Sequence, residues 1–161
     1  MNCALSERPA DGADGDFLFR LYASTRAEEV AAFGWTAEMQ ESFLRMQFRA
    51  RQQSYDAMYP ESASAILLSD GAAAGAAIVW RGADEIRLLD IALLPEFRQR
   101  GLGTLWISRL IGEARAARLP LRLNVVRGNP AGRLYERLGF VTRLSAGPIY
   151  LEMEHNGSDP S

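Results

Sequence analysis

Residues 95–103 read PEFRQRGLG, placing two arginines and two glycines directly after the apolar run Ile91 to Leu94 and before a stretch with helical spacing. A helix that opens at Gly101 to Thr104 leaves its first backbone N–H groups without partners. Those amides and the positive end of the helix dipole form an anion site. Gly101 and Gly103 have no side chains, so a phosphate can reach the backbone. Arg98 and Arg100 flank it with charge-assisted donors, about 1.5–3 kcal/mol each where well ordered. The turn therefore suits a phosphate or pyrophosphate. Its spacing, Arg98-x-x-Gly101-x-Gly103, matches neither the Walker loop nor the dinucleotide fingerprint. Alone, it equally describes a glycine turn with two solvated arginines.

The rest of the chain narrows the chemistry. All 18 basic residues are arginine, so Schiff-base chemistry on a lysine is excluded. Cys3 and His155 are the single cysteine and histidine, so no disulfide forms within the chain and no Cys/His zinc site assembles. Catalysis must use carboxylates, tyrosine, backbone amides or a bound cofactor, and no metal is expected. A net charge of −2 and a pI near 5.5 argue against broad nucleic-acid binding. No apolar run approaches the ~20 residues of a membrane span, and the N-terminus lacks a basic leader, so a cytoplasmic protein is expected.

The elements that must position the turn follow from periodicity. The 161 residues predict one domain over 1–154 and a frayed tail over 155–161. GADGD (12–16) opens a helix carrying Phe17, Leu18, Leu21 and Tyr22. A second helix opens at Thr36, its apolar stripe read as Met39, Phe43, Met46 and Ala50, widened by Leu44 and Phe48. After Pro60 the period becomes that of strands. Two strands join through Ser69-Asp70-Gly71, a third spans 85–94, a helix follows from Leu102 to Ala117, and a strand spans 121–126. Asn129-Pro130 caps a helix carrying Leu134 and Leu138, Gly139 ends it, and strands near 140–144 and 149–154 close the sheet. The order is α+β, with a right-handed crossover from strand 85–94 to strand 121–126.

With this context, residues 90–104, DIALLPEFRQRGLGT, resemble the acetyl-CoA-binding motif of the GNAT superfamily of N-acetyltransferases, and residues 129–140, NPAGRLYERLGF, resemble its second signature. The two stand in the family's order and separation, and the resemblance covers about residues 84 to 141. It implies a mixed, mostly antiparallel sheet of six to seven strands flanked by about four helices, splayed between strands 85–94 and 121–126. It further implies that the main chain of Ile91 and Leu93 pairs with pantetheine and that Arg98, Gln99, Arg100, Gly101, Leu102, Gly103 and Thr104 hold the pyrophosphate. Asn129 would lie beside the splay.

The implied reaction is direct transfer of acetyl from acetyl-CoA to a primary amine of a small molecule or peptide, with homodimers common among relatives. The alternative is a non-catalytic acyl-CoA-binding sensor or interaction module. Tyr135 matches the family's general acid, and Leu93 N–H is the implied oxyanion donor. Some relatives carry a base glutamate where Arg87 stands here, which is a departure. Glu85, expected on the face of Arg87, and Asp90, expected on the opposite face, could act through water; an amine that arrives neutral needs neither. Asn129 lies six residues before Tyr135, where many relatives have seven. Trp35, Phe43, Tyr55, Tyr59 and Tyr150 are available to an acceptor pocket or to the core. Arg45, Arg49 and Arg51 read as a solvated helix face or as contacts for an acidic acceptor.

Overall fold

The structure, a computed structural model, describes residues 4–157. Seven strands form one sheet in the order β1-β2-β3-β4-β5-β7-β6. They are β1 (Leu5–Pro9), β2 (Ala63–Ser69), β3 (Ala72–Arg81), β4 (Ile86–Leu93), β5 (Leu121–Val126), β6 (Val141–Ala146) and β7 (Tyr150–His155). All neighbours run antiparallel except β4 and β5, which are joined in parallel through helix α3 (Leu102–Ala117). Helices α1 (Gly15–Ala31) and α2 (Ala37–Met58) precede β2, and α4 (Ala131–Arg137) lies between β5 and β6. The expected mixed, mostly antiparallel sheet with four helices is therefore present.

Local signals act where they were expected. Asp70 and Gly71 turn with φ of 50° and 84°, the paired positive values of a tight hairpin. The Thr36 hydroxyl accepts from Met39 N–H at 3.2 Å, capping α2. Asn129 Oδ1 accepts from Ala131 N–H at 2.9 Å at the start of α4. Strand β1 was not foreseen: of LSERP only Leu5 is buried, and a half-polar edge strand gives no alternation to read.

The core lies mainly between the sheet and α3. Ile86, Leu88, Leu121, Leu123 and Met153 meet Trp106, Ile107, Leu110 and Ala114 there. A smaller apolar layer beneath α1 joins Leu21, Ile66, Ala76 and Leu94.

Three expectations are corrected. The inward face of α2 is not the Met39/Met46 stripe, since both methionines are more than half exposed. Leu44 is buried, Phe48 packs beside it, and Arg51 and Tyr55 bond to β4. This spacing marks one helix face, with polar residues at its far end. Asp90 shares the face of Arg87 rather than opposing it. Leu88 pairs with Val79 and Asp90 with the adjacent Ile78, so Leu89 is an extra residue that resets the alternation. His155 belongs to β7 and is 3% exposed, its Nδ1 accepting from Gly157 N–H, so the strand consumes the start of the expected tail. Residues 158–161 and Cys3 lie outside the described residues.

Candidate active site

The splay is visible in the register. β4 pairs with β3 from Ile86 to Leu93, but with β5 only over Ile86 to Leu88 against Leu121 to Leu123. Beyond Leu123, β5 continues alongside β7. From Leu89 onward β4 therefore has an open edge. Leu94 N–H donates to Ala74 C=O at 2.8 Å. By the two-residue alternation of an antiparallel pair, Ile91 and Leu93 then turn their N–H and C=O groups toward that open edge. Leu93 C=O accepts from Arg98 Nε at 2.9 Å, and Leu93 N–H remains aimed into the gap.

The same arginine ties the strand end to the glycine turn. Gln99 and Gly101 adopt φ of 61° and 78°, curling the chain so that α3 begins at Leu102. Leu105 N–H is bonded to Gly101 C=O, which leaves the amides of Leu102, Gly103 and Thr104 without intrahelical acceptors. The Leu102 side chain is 3% exposed in the core, so this residue offers only its backbone. Arg98, Gln99, Arg100 and Thr104 are exposed, and the Arg100 guanidinium lies 5.6 Å over the Phe97 ring.

The two glycines differ in their reasons. Gly101 needs its positive φ. Gly103 does not, and a Cβ there would touch only Leu93 Cδ1, at 4.0 Å. Nothing within the chain demands a glycine at this helix position, which fits a site reserved for close approach of a phosphate.

Tyr135, on α4, faces the splay from the other side. It is 8% exposed, packs edge-on against Phe140 at 5.6 Å, and lines a cleft of about 260 Å³ with Asp90, Ile91, Val125, Asn129 and Tyr150. Burial pushes its phenol up to about 12, the Asp90 charge adding to the effect. Asp90 stands where this cleft meets two further grooves under α1 and α2. Its carboxylate accepts from Arg51 at 3.1 Å. Although 31% of its side chain reaches the grooves, burial of the remainder raises its pKa, with Arg51 pulling the other way. Tyr55 donates its hydroxyl to Leu89 C=O at 3.1 Å, holding the extra residue of the bulge.

The expected site residues thus gather, with exceptions. Glu85 lines none of these grooves. It pairs with Arg87 at 3.2 Å and Arg122 at 3.7 Å, and Arg87 also reaches Glu152 at 2.7 Å. Of the aromatics, only Tyr55 and Tyr150 reach the cleft. Trp35 and Phe43 cluster with Phe33 at the α1–α2 turn, and Tyr59 packs on Trp80. Arg45 pairs with Glu41 within its own helix, and Arg49 is exposed. Sequence reading left Arg51 between a solvated face and an acceptor contact, read Tyr22 only as part of the apolar face of α1, and missed Gln47. The available signal was polar side chains continuing the spacing of Leu44 and Phe48. Among the described residues no group of three or more His, Cys, Asp and Glu could hold a metal ion, and no helix is long and apolar enough to cross a membrane.

Solved structures share this architecture. PaiA N-acetyltransferase from Thermoplasma acidophilum, in complex with coenzyme A, superimposes with a TM-score of 0.67 at 20% identity, covering 95% of this chain and 99% of that one. The ribosomal-protein-S18-alanine N-acetyltransferase from Escherichia coli gives 0.65 at 22% identity, covering 98% and 97%. YncA from Salmonella typhimurium, with its cofactor acetyl-CoA, gives 0.56 at 22% identity, covering 98% and 96%. No curated protein sequence matches the chain. At the sequence level, the profile of the Acetyltransferase (GNAT) family matches residues 22–140, which takes in the glycine turn and all but the first residues of α1. The chain belongs to the GNAT family of acetyltransferases.

Proposed function

We propose that this chain moves an acetyl group from acetyl-CoA directly to a primary amine. The observation that carries the reading is Gly103, a helix glycine with no backbone or packing reason, at the end of a strand whose free edge leads to Tyr135 and Asp90. Residues 98–104 offer amides and two guanidinium groups to a pyrophosphate, and Ile91 and Leu93 offer main-chain groups to pantetheine amides. Acetyl-CoA supplies the activated thioester. Leu93 N–H is directed to stabilise negative charge on the acyl oxygen as the amine nitrogen bonds to its carbon. Asp90, with its raised pKa, takes the amine proton directly or through water. Tyr135, protonated throughout the neutral range, donates toward the sulfur as the C–S bond breaks. Free thiols have pKa near 8.5, well below the phenol's, so Tyr135 stabilises the departing thiolate by donating a hydrogen bond and keeps its own proton; CoA leaves as the thiolate and takes its proton from water. Glu85, held by two arginines away from the grooves, is the less suited carboxylate.

The test is Tyr135→Phe. Turnover, followed as thiol release, should fall about a hundredfold, within the range for a lost hydrogen-bond donor to developing charge. Acetyl-CoA affinity measured by calorimetry should change less than threefold. Unchanged turnover removes Tyr135 from the mechanism. Tight acetyl-CoA binding without turnover of any amine favours a non-catalytic acyl-CoA-binding module.

A further inference from the structure

We infer that the groove beside Asp90 accepts a small amine that carries one carboxylate, with Arg26 and Arg51 as the groups that recognise the anion; the inference rests on the acetyltransferase reading above. The groove, about 510 Å³, is lined by residues of α1 and α2 together with Asp90 and Tyr150. It meets the splay cleft at Tyr55, Asp90 and Tyr150, so a ligand there lies next to the reacting centre.

Its charges are unequal. The lining holds Arg26 and Arg51 but only one carboxylate, Asp90. Arg51 uses Nη1 on Asp90, and its guanidinium is fixed over the rings of Tyr22 at 4.8 Å and Phe48 at 5.6 Å. Arg26 lies 5.6 Å from the same Tyr22 ring, so two cations flank one phenol. The hydrogen-bond partner of Arg26 is the neutral Gln47, at 2.8 Å. Its nearest carboxylate, Glu29 at 3.5 Å, is 59% exposed and outside the groove wall. The wall itself therefore carries two guanidinium groups against one carboxylate, and it complements an anion.

An acceptor amine reacts in its neutral form, so the charge that the groove meets is that of the rest of the molecule. A carboxylate there balances the surplus. A diamine keeps a second ammonium, which would face two guanidinium groups and be repelled. Tyr22, Tyr55 and Tyr150 supply flat walls for a short carbon chain between amine and carboxylate.

The experiment measures thiol release from acetyl-CoA by the full chain with amino carboxylates from glycine to 6-aminohexanoate, against butylamine, 1,4-diaminobutane and a lysine-rich peptide. Binding of the best amino carboxylate is measured in parallel by calorimetry in the presence of CoA. The best amino carboxylate should exceed butylamine in kcat/KM by at least tenfold, and diaminobutane by more. Arg26→Gln should shrink that gap below threefold, and Arg26→Lys should restore part of it. A preference for diaminobutane, butylamine or the peptide overturns the inference, as does a gap that persists in folded Arg26→Gln. If no amine releases thiol but an amino carboxylate binds with an affinity that Arg26→Gln abolishes, the transferase reading falls and the groove assignment stands. Absence of both binding and turnover overturns the groove assignment.

Discussion

At Gly103 the proposed pyrophosphate contact and the stability of the fold make opposite demands on one residue. A glycine within a helix costs roughly 0.5–1 kcal/mol relative to alanine. Since a Cβ at this position meets only Leu93 Cδ1, at 4.0 Å, Gly103→Ala should raise stability by about that amount in urea unfolding. The same methyl group would stand between the Gly103 amide and a phosphate, so acetyl-CoA affinity should fall at least tenfold, about 1.4 kcal/mol. A variant that is both more stable and equally tight would remove the pyrophosphate from this turn. Tyr135 carries a prediction in pH. With its phenol near 12, the group does not ionise between pH 6 and 10. The ratio of kcat/KM between the parent and Tyr135→Phe should therefore stay constant across that range; a ratio that collapses with a midpoint below pH 10 would mean that the phenol ionises there. Gly103 was legible in the sequence because an anion site at a helix start is local, set by spacing within ten residues, whereas Tyr135 was singled out only by the resemblance of residues 129–140 to a family signature. The pairing of Arg51 with Asp90 was not legible, because it joins residues 39 positions apart.

At the scale of elements, besides the unforeseen β1 and the extension of β7 to His155, expectation and structure differ by one extra residue and one misread face. Counting by twos along 85–94 puts Asp90 opposite Arg87, and only the bulge at Leu89 brings it under α2. No local signal marks that bulge, which depends on how β3 and β4 bend together. Further along the same strand pair the two backbones approach closely at Gly75, where a Cβ would run into the Ala92 carbonyl oxygen and the Leu93 side chain. Gly75→Ala should force β3 and β4 apart and destabilise the fold by about 2 kcal/mol, within the usual cost of overpacking. Because Leu93 moves with the clash, acetyl-CoA binding should weaken in the fraction that remains folded; a variant with parental urea midpoint and affinity would show that the close approach is not needed. The α2 face was misread for a related reason. Apolar content favoured Met39 and Met46, whereas the face turned to the sheet ends in Arg51 and Tyr55, whose polarity serves the groove.

The whole molecule must keep β4 and β5 together below the splay while leaving them apart above it. Three parallel register pairs, Ile86 to Leu88, do this on the backbone. On the face away from α3, side chains add a closed ring in which every charge touches two of the opposite sign. Glu85 meets Arg87 and Arg122, Glu152 meets Arg87 and Arg143, and Glu154 meets Arg122 and Arg143. The ring spans β4, β5, β7 and β6, the strands that the parallel crossover and the late hairpin bring side by side. The strands were readable from the sequence, but the ring was not, because its members lie up to 69 positions apart and nothing local distinguishes them from solvated charges. Glu152, 7% exposed, is its most enclosed member. Removing one partner of a mostly buried pair leaves the others uncompensated, which costs about 3–5 kcal/mol when burial is complete. Arg143, 41% exposed, can turn to water, so about 2 kcal/mol is expected for Glu152→Gln in urea unfolding. Replacing Arg87 and Glu152 together by methionine removes both charges of the 2.7 Å contact and should cost less than the two single changes added. Additive losses would mean that the ring is a set of independent surface pairs and that the three backbone register pairs alone hold the foot of the splay.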